Sequence, residues 1–163
     1  MLQRTIVPDV QQIRQELAEA PWLKGSGTIV YDPNRQGMKR KTEWWCILRL
    51  DRKNDLAAYY RNWVKMRYGY ELCQQSWEPH VSILRGEKPK HHLMHLWKKY
   101  NGQRVQFEYQ PYVRYSGDTS PHASKPIGSF WFVDVRSKIL TDIRDELELP
   151  SQWNQHLTVG RQW

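Results

Sequence analysis

Glu78-Pro79-His80-Val81-Ser82-Ile83-Leu84 sets a histidine and a hydroxyl two residues apart inside an apolar run. Asn154-Gln155-His156-Leu157-Thr158-Val159-Gly160 repeats the pattern, its histidine 76 positions after the first. In a strand, residues i and i+2 share a face, so each copy places an imidazole beside a hydroxyl while its apolar neighbours enter the core. The preceding segments match as well. Trp45-Cys46-Ile47-Leu48-Arg49-Leu50 leads through a helical stretch to the first histidine strand, and Phe130-Trp131-Phe132-Val133-Asp134-Val135 leads through another to the second. Strand, helix, histidine strand occurs twice, which predicts an internal structural duplication.

Two such strands facing one cleft supply two proton-transfer groups and two donors to phosphate oxygens. Phosphodiester cleavage without a metal needs a base to deprotonate the nucleophile and an acid to protonate the leaving oxygen. Histidine, with an ordinary pKa near ~6.5, holds either state at neutral pH. Each such step is worth roughly 10²–10⁴ in rate. Ser82 and Thr158 are candidates to hydrogen-bond the non-bridging oxygens, where transition-state charge gathers. The plainer reading of one His-x-Ser is a half-exposed strand histidine; two copies in matched contexts favour the chemical reading.

The paired His-x-Ser/Thr signature, with an apolar residue on either side of each hydroxyl, resembles the 2H phosphoesterase superfamily. That family includes RNA 2′,3′-cyclic phosphodiesterases, bacterial 2′-5′ RNA ligase-like proteins and phage anti-CBASS enzymes that destroy cyclic oligonucleotide signals. The resemblance spans residues 44–161 and leaves 1–43 as an unmatched N-terminal extension of a single domain, 1–163. It implies an α+β, bilobal fold: two pseudosymmetric antiparallel sheets, flanked by helices, around a central cleft. It also implies a metal-independent phosphodiesterase without cofactor, acting on cyclic oligonucleotides or on RNA 2′,3′-cyclic phosphate ends. His80 and His156 would be base and acid in either order, and Ser82 and Thr158 their hydroxyl partners. Ser82 departs from the commoner threonine but keeps the hydroxyl.

A formal charge of +8 favours a polyanionic partner. Nine Trp and nine Tyr suit base stacking, although most rings must be core. Tyr31, Trp77 and Tyr112 are the aromatic candidates for substrate contact, and Lys39 and Arg40, in the run Lys39-Arg40-Lys41, the cationic ones. The alternative function is a non-catalytic module that binds single-stranded RNA or sequesters a nucleotide, but binding alone does not require two titratable groups around a phosphate. No obligatory protein partner is expected. Cys46 and Cys73 make no disulfide framework, which predicts a reducing cytoplasm, a host's if the chain is phage-encoded. No apolar signal core and no run of about 18 apolar residues is visible, so no membrane association is expected.

Along the chain, residues 8–20 read as a helix ended by Pro21. Gly25-Ser26-Gly27 reads as a turn into a strand ending at Tyr31, and 32–42 as an exposed loop. A strand over 44–50 precedes a helix capped by Asn54, running to Tyr68 and closed by Gly69. His91 and His95 stand i and i+4 on an expected helix, a spacing that invites a metal, but a third ligand is lacking. The favoured reading there buries Leu93, Leu96, Trp97 and Tyr100 and turns the histidines outward. Residues 104–115 alternate as a strand or hairpin interrupted at Pro111. Residues 116–126 read as a mobile loop, with the length and polarity of a lid or substrate-selecting loop but more commonly a plain hairpin connection, before a strand over 130–135. A helix over 136–149 then buries Ile139, Leu140, Ile143 and Leu147 before Pro150 stops it.

Overall fold

Gly25 and Gly27 are not a turn. In the computed structural model, which describes residues 20–34, 42–51, 55–74, 77–115, 130–150 and 155–161, both lie within strand β1, Leu23–Tyr31. A Cβ on Gly25 would stand 2.6 Å from the Phe107 ring, and one on Gly27 would strike the Arg49 carbonyl oxygen. Both glycines serve close approach between neighbouring strands. The expected helix over 8–20 lies, except for Ala20, outside the described residues, as do most of the 32–42 loop, the whole of the 116–126 loop, and Asn54.

β2, Trp45–Leu50, runs back along β1, and α1, Leu56–Tyr68, follows. Asp55 is the residue that caps α1: its carboxylate accepts from the Ala58 N–H at 3.0 Å, satisfying one of the donors a helix start leaves over. Ala57, Tyr60 and Val64 form the buried stripe. Gly69 ends the helix in the left-handed conformation, φ 74°, with its N–H donating to the Lys65 carbonyl. β3, His80–Arg85, carries the first motif. His91–Leu96 is a 3₁₀ helix, which corrects the expected α-helical pairing of His91 with His95. At three residues per turn, positions i and i+4 do not share a face. Leu93, Leu96, Trp97 and Tyr100 do pack against the core.

The segment from Arg104 divides at Pro111 into β4, Arg104–Tyr109, and β5, Arg114–Tyr115. Proline lacks the N–H a continuing ladder would use. β6 is Phe130–Arg136, α2 is Lys138–Glu146 and β7, His156–Arg161, carries the second motif. α2 is shorter than the sequence suggests. Arg136 remains in strand, opposite Glu108 in the β4–β6 ladder and bonded to its carboxylate at 3.1 Å. At the other end Glu148 takes a left-handed φ of 55° and turns the chain out before Pro150.

The strand order is β4-β1-β2-β3-β7-β6-β5, with β4 also paired to β6. The two halves are therefore not separate sheets. β3 and β7 join edge to edge, β4 bridges to β6, and β4-β1-β2-β3-β7-β6 closes into a six-strand antiparallel barrel. Closure follows because β4 uses its length twice: the whole strand pairs with β1, and Glu108 and Tyr109 at its end also pair with Arg136 and Val135. The core face carries Ile29, Leu48, Val81, Val133 and Leu157, clustered with Tyr60 and Val64 of α1 and Leu140 and Ile143 of α2. Among the described residues no helix is long and apolar enough to cross a membrane.

Candidate active site

One pair fixes how the motifs meet. Val81 lies opposite Leu157 in the antiparallel β3–β7 ladder. Counting outward from that pair sets His80 opposite Thr158 and Ser82 opposite His156. Opposite residues share a face, so all four half-buried side chains project from one side of the sheet, while Val81 and Leu157 are buried on the other. Each histidine has the other strand's hydroxyl as its cross-strand neighbour, and the two histidines are diagonal neighbours at about 7–8 Å.

The halves agree even in their irregularities. β2 pairs with β3 as Trp45 to Arg85, Cys46 to Leu84, Ile47 to Ser82, Leu48 to Val81 and Arg49 to His80. β6 pairs with β7 as Phe130 to Arg161, Trp131 to Gly160, Phe132 to Thr158, Val133 to Leu157 and Asp134 to His156. Both ladders skip a residue at the same place, so Ile83 and Val159 are equivalent bulges. Each crossover helix then braces the other half's bulge. Arg61 of α1 donates from Nη1 to the Val159 carbonyl at 3.0 Å, and Arg144 of α2 donates from Nη1 to the Ile83 carbonyl at 2.9 Å. Arg144 is almost fully buried and also binds the Pro150 carbonyl and both oxygens of Glu87.

Around the histidines the halves differ. The His80 ring lies 4.9 Å from Trp77 and 5.5 Å from Trp45, centroid to centroid. Its Nδ1 is 3.0 Å from the Glu78 carbonyl oxygen. A carbonyl can only accept, so Nδ1 carries the proton, and in the neutral ring Nε2 is the nitrogen able to accept one. Arg49, opposite His80, pairs through Nε with Glu78 at 2.8 Å. The Trp45 indole N–H donates to Ser82 Oγ at 3.2 Å. His156 lies instead against Phe132 at 5.2 Å and is stacked with Phe130 at 6.1 Å. Opposite it, Asp134 accepts from Arg114 Nη1 at 2.7 Å, and that guanidinium lies 5.5 Å from the Phe132 ring centre.

The structure thus brings His80, Ser82, His156, Thr158 and Trp77 to one region. Tyr31 belongs elsewhere. It pairs with Cys46 on the core face, is buried, and meets Trp97 edge-on at 5.0 Å, so its expected contact with substrate is corrected to a core role. Burial drives its hydroxyl pKa upward. Tyr112 sits in the turn between β4 and β5, its hydroxyl accepting from Gln110 Nε2 at 3.2 Å, and the described contacts do not join it to the histidines. Lys39 and Arg40 lie outside the described residues. Sequence reasoning missed Trp45, Arg49, Arg114, Phe130, Phe132 and Asp134. All but Arg114, which lies on β5, fall at alternate positions of the two matched runs that open at Trp45 and Phe130, and so share the motif face.

A cavity of about 400 Å³ lies away from this face, lined by Leu23, Ser26, Asp51, Tyr59, Phe107 and Tyr109 among others. Its polar wall is already occupied: Asp51 accepts from Ser26 Oγ and is held by both terminal nitrogens of Arg104. Among the described residues no group of three or more His, Cys, Asp and Glu side chains is placed to hold a metal ion. No family model, no curated protein and no solved structure compared with the chain matches it.

Proposed function

We propose that the chain is a metal-independent phosphodiesterase of 2H type, its two lobes joined through β3 and β7 and closed by β4, acting in a cytoplasm on cyclic oligonucleotides or on RNA with 2′,3′-cyclic phosphate ends. The observation that carries this reading is the inverted pairing of the two motifs. A phosphate on the motif face would meet an imidazole from each strand and a hydroxyl from each strand. One imidazole takes the proton of the attacking water or ribose 2′-OH as the new P–O bond forms. The other gives a proton to the oxygen that leaves as the old bond breaks. Ser82 and Thr158 donate to the non-bridging oxygens, where charge builds. The aromatic rings beside each histidine suit a nucleotide, and the net charge of +8 suits its phosphates.

The test is turnover of a panel of cyclic dinucleotides, cyclic trinucleotides and RNA with 2′,3′-cyclic ends, in EDTA, read by chromatography of the products. The reading expects cleavage that survives the chelator and falls by roughly 10²–10⁴ in His80→Ala and in His156→Ala. Wild-type rates in either variant would remove the mechanism. Binding with no turnover of any member of the panel would favour the sequestering module.

A further inference from the structure

The two hydroxyls are held by different means. Thr158 is β-branched, and its own methyl restricts χ1. Ser82 lacks that methyl and is free to rotate unless something outside the residue fixes it. Trp45 is placed to do so: it is buried to 2 % exposure, and its indole Nε1 lies 3.2 Å from Ser82 Oγ. An indole N–H only donates, whereas a serine hydroxyl has one hydrogen and two lone pairs. The direction of the bond is therefore settled, with Trp45 donating and Ser82 accepting. One lone pair of Ser82 is occupied by the indole, which leaves its hydrogen for an acceptor other than Trp45. A donor bonded to the Ser82 oxygen also polarises its O–H and strengthens the bond it gives.

The second half supplies the comparison. Phe130 occupies the position equivalent to Trp45, with the same register to the end of its histidine strand and its ring likewise beside the histidine. Phenylalanine has no donor. Where the hydroxyl residue is threonine the neighbour is a plain ring, and where it is serine the neighbour carries an N–H.

We propose that Trp45 is a positioning residue for Ser82, its indole N–H turning the serine hydroxyl into a fixed donor toward the non-bridging phosphate oxygen in the first half of the site. This rests on the phosphodiesterase reading above.

The experiment is a double-mutant cycle on turnover, with Trp45→Phe, Ser82→Ala and the two combined. Trp45→Phe should lower kcat about 5- to 10-fold, the factor one neutral hydrogen bond carries, with KM little changed. In the Ser82→Ala background the same substitution should cost nothing further, and Ser82→Thr should restore the rate of Trp45→Phe. An equal loss with and without Ser82 would assign Trp45 to packing alone and overturn the proposal. The hydrogen bond itself is read separately from the Trp45 indole N–H resonance. It should move in Ser82→Ala, and an unmoved signal overturns the proposal whatever the kinetics. Absence of any turnover dependent on His80 and His156 would instead strike the functional reading, leaving the indole signal to decide the bond.

Discussion

Val81 stands directly across from Leu157, and no other pair is needed to set the two motifs in register across the β3–β7 seam. Both side chains are essentially fully buried. Because strand faces alternate residue by residue, a slip of one position would turn one histidine and its hydroxyl into the core. Leu157→Ala should therefore lower unfolding free energy by about 2–5 kcal/mol, as core truncations do, measured by urea denaturation.

Arg144 ties α2 to the bulge of β3, to Glu87 and to the Pro150 carbonyl, so removing its charge leaves several partners unmatched at once. Arg144→Met should cost about 3–5 kcal/mol, the loss expected when one partner of a buried pair is deleted. Arg61 is only half-buried and makes the equivalent bond to Val159. Arg61→Met should cost about 1 kcal/mol. Equal effects of the two substitutions in denaturant titrations would show that the cross-bracing does not depend on burial.

The two cysteines should separate cleanly by reactivity. Cys46 is buried, and burial pushes its thiol pKa up, while Cys73 is exposed. Thiolate is the reactive species. A thiol-modifying reagent at pH 8 should label one thiol of the folded protein quickly and the second only on addition of denaturant. Rapid labelling of both in the native state would contradict the packing of β2.

Glu146 ionises below the usual carboxylate range, chiefly because the Tyr100 hydroxyl donates to it, with Lys99 adding a second bond. A carboxylate whose folded pKa is lowered contributes stability above its unfolded value, near ~4.3, and loses it as pH falls through the folded value. The difference in Tm between the protein and Glu146→Gln should therefore be largest near neutrality and shrink below about pH 4. A difference independent of pH would mean that charge plays no part in this contact.

The histidine strands are legible in the sequence because alternation holds from His80 to Ile83 and from His156 to Val159, before each bulge breaks it, and α1 and α2 because their apolar spacing is local, although the cap of α1 falls on Asp55 and α2 is shorter at both ends. Closure of the barrel is not legible. It depends on Glu108 and Tyr109 meeting Arg136 and Val135, and nothing near either segment records that pairing. Gly25 and Gly27 mislead for a similar reason: a glycine needed for close approach looks the same in sequence as one needed for a turn. Arg61 and Arg144 read as ordinary charged helix positions until the bulges they brace are seen. The equivalence of Trp45 with Phe130 shows in the two matched runs they open, although no single offset aligns both strands of each half, because the connection from β2 to β3 is longer than that from β6 to β7.

The most direct measurement of the central claim follows the imidazole resonances of His80 and His156 while a slowly cleaved phosphorothioate dinucleotide is titrated in the presence of EDTA. The inverted pairing of the motifs predicts that both sets of signals shift together and saturate with one Kd, because both rings contact the same phosphorus centre. Movement of only one histidine, or of the two with different dissociation constants, would contradict it.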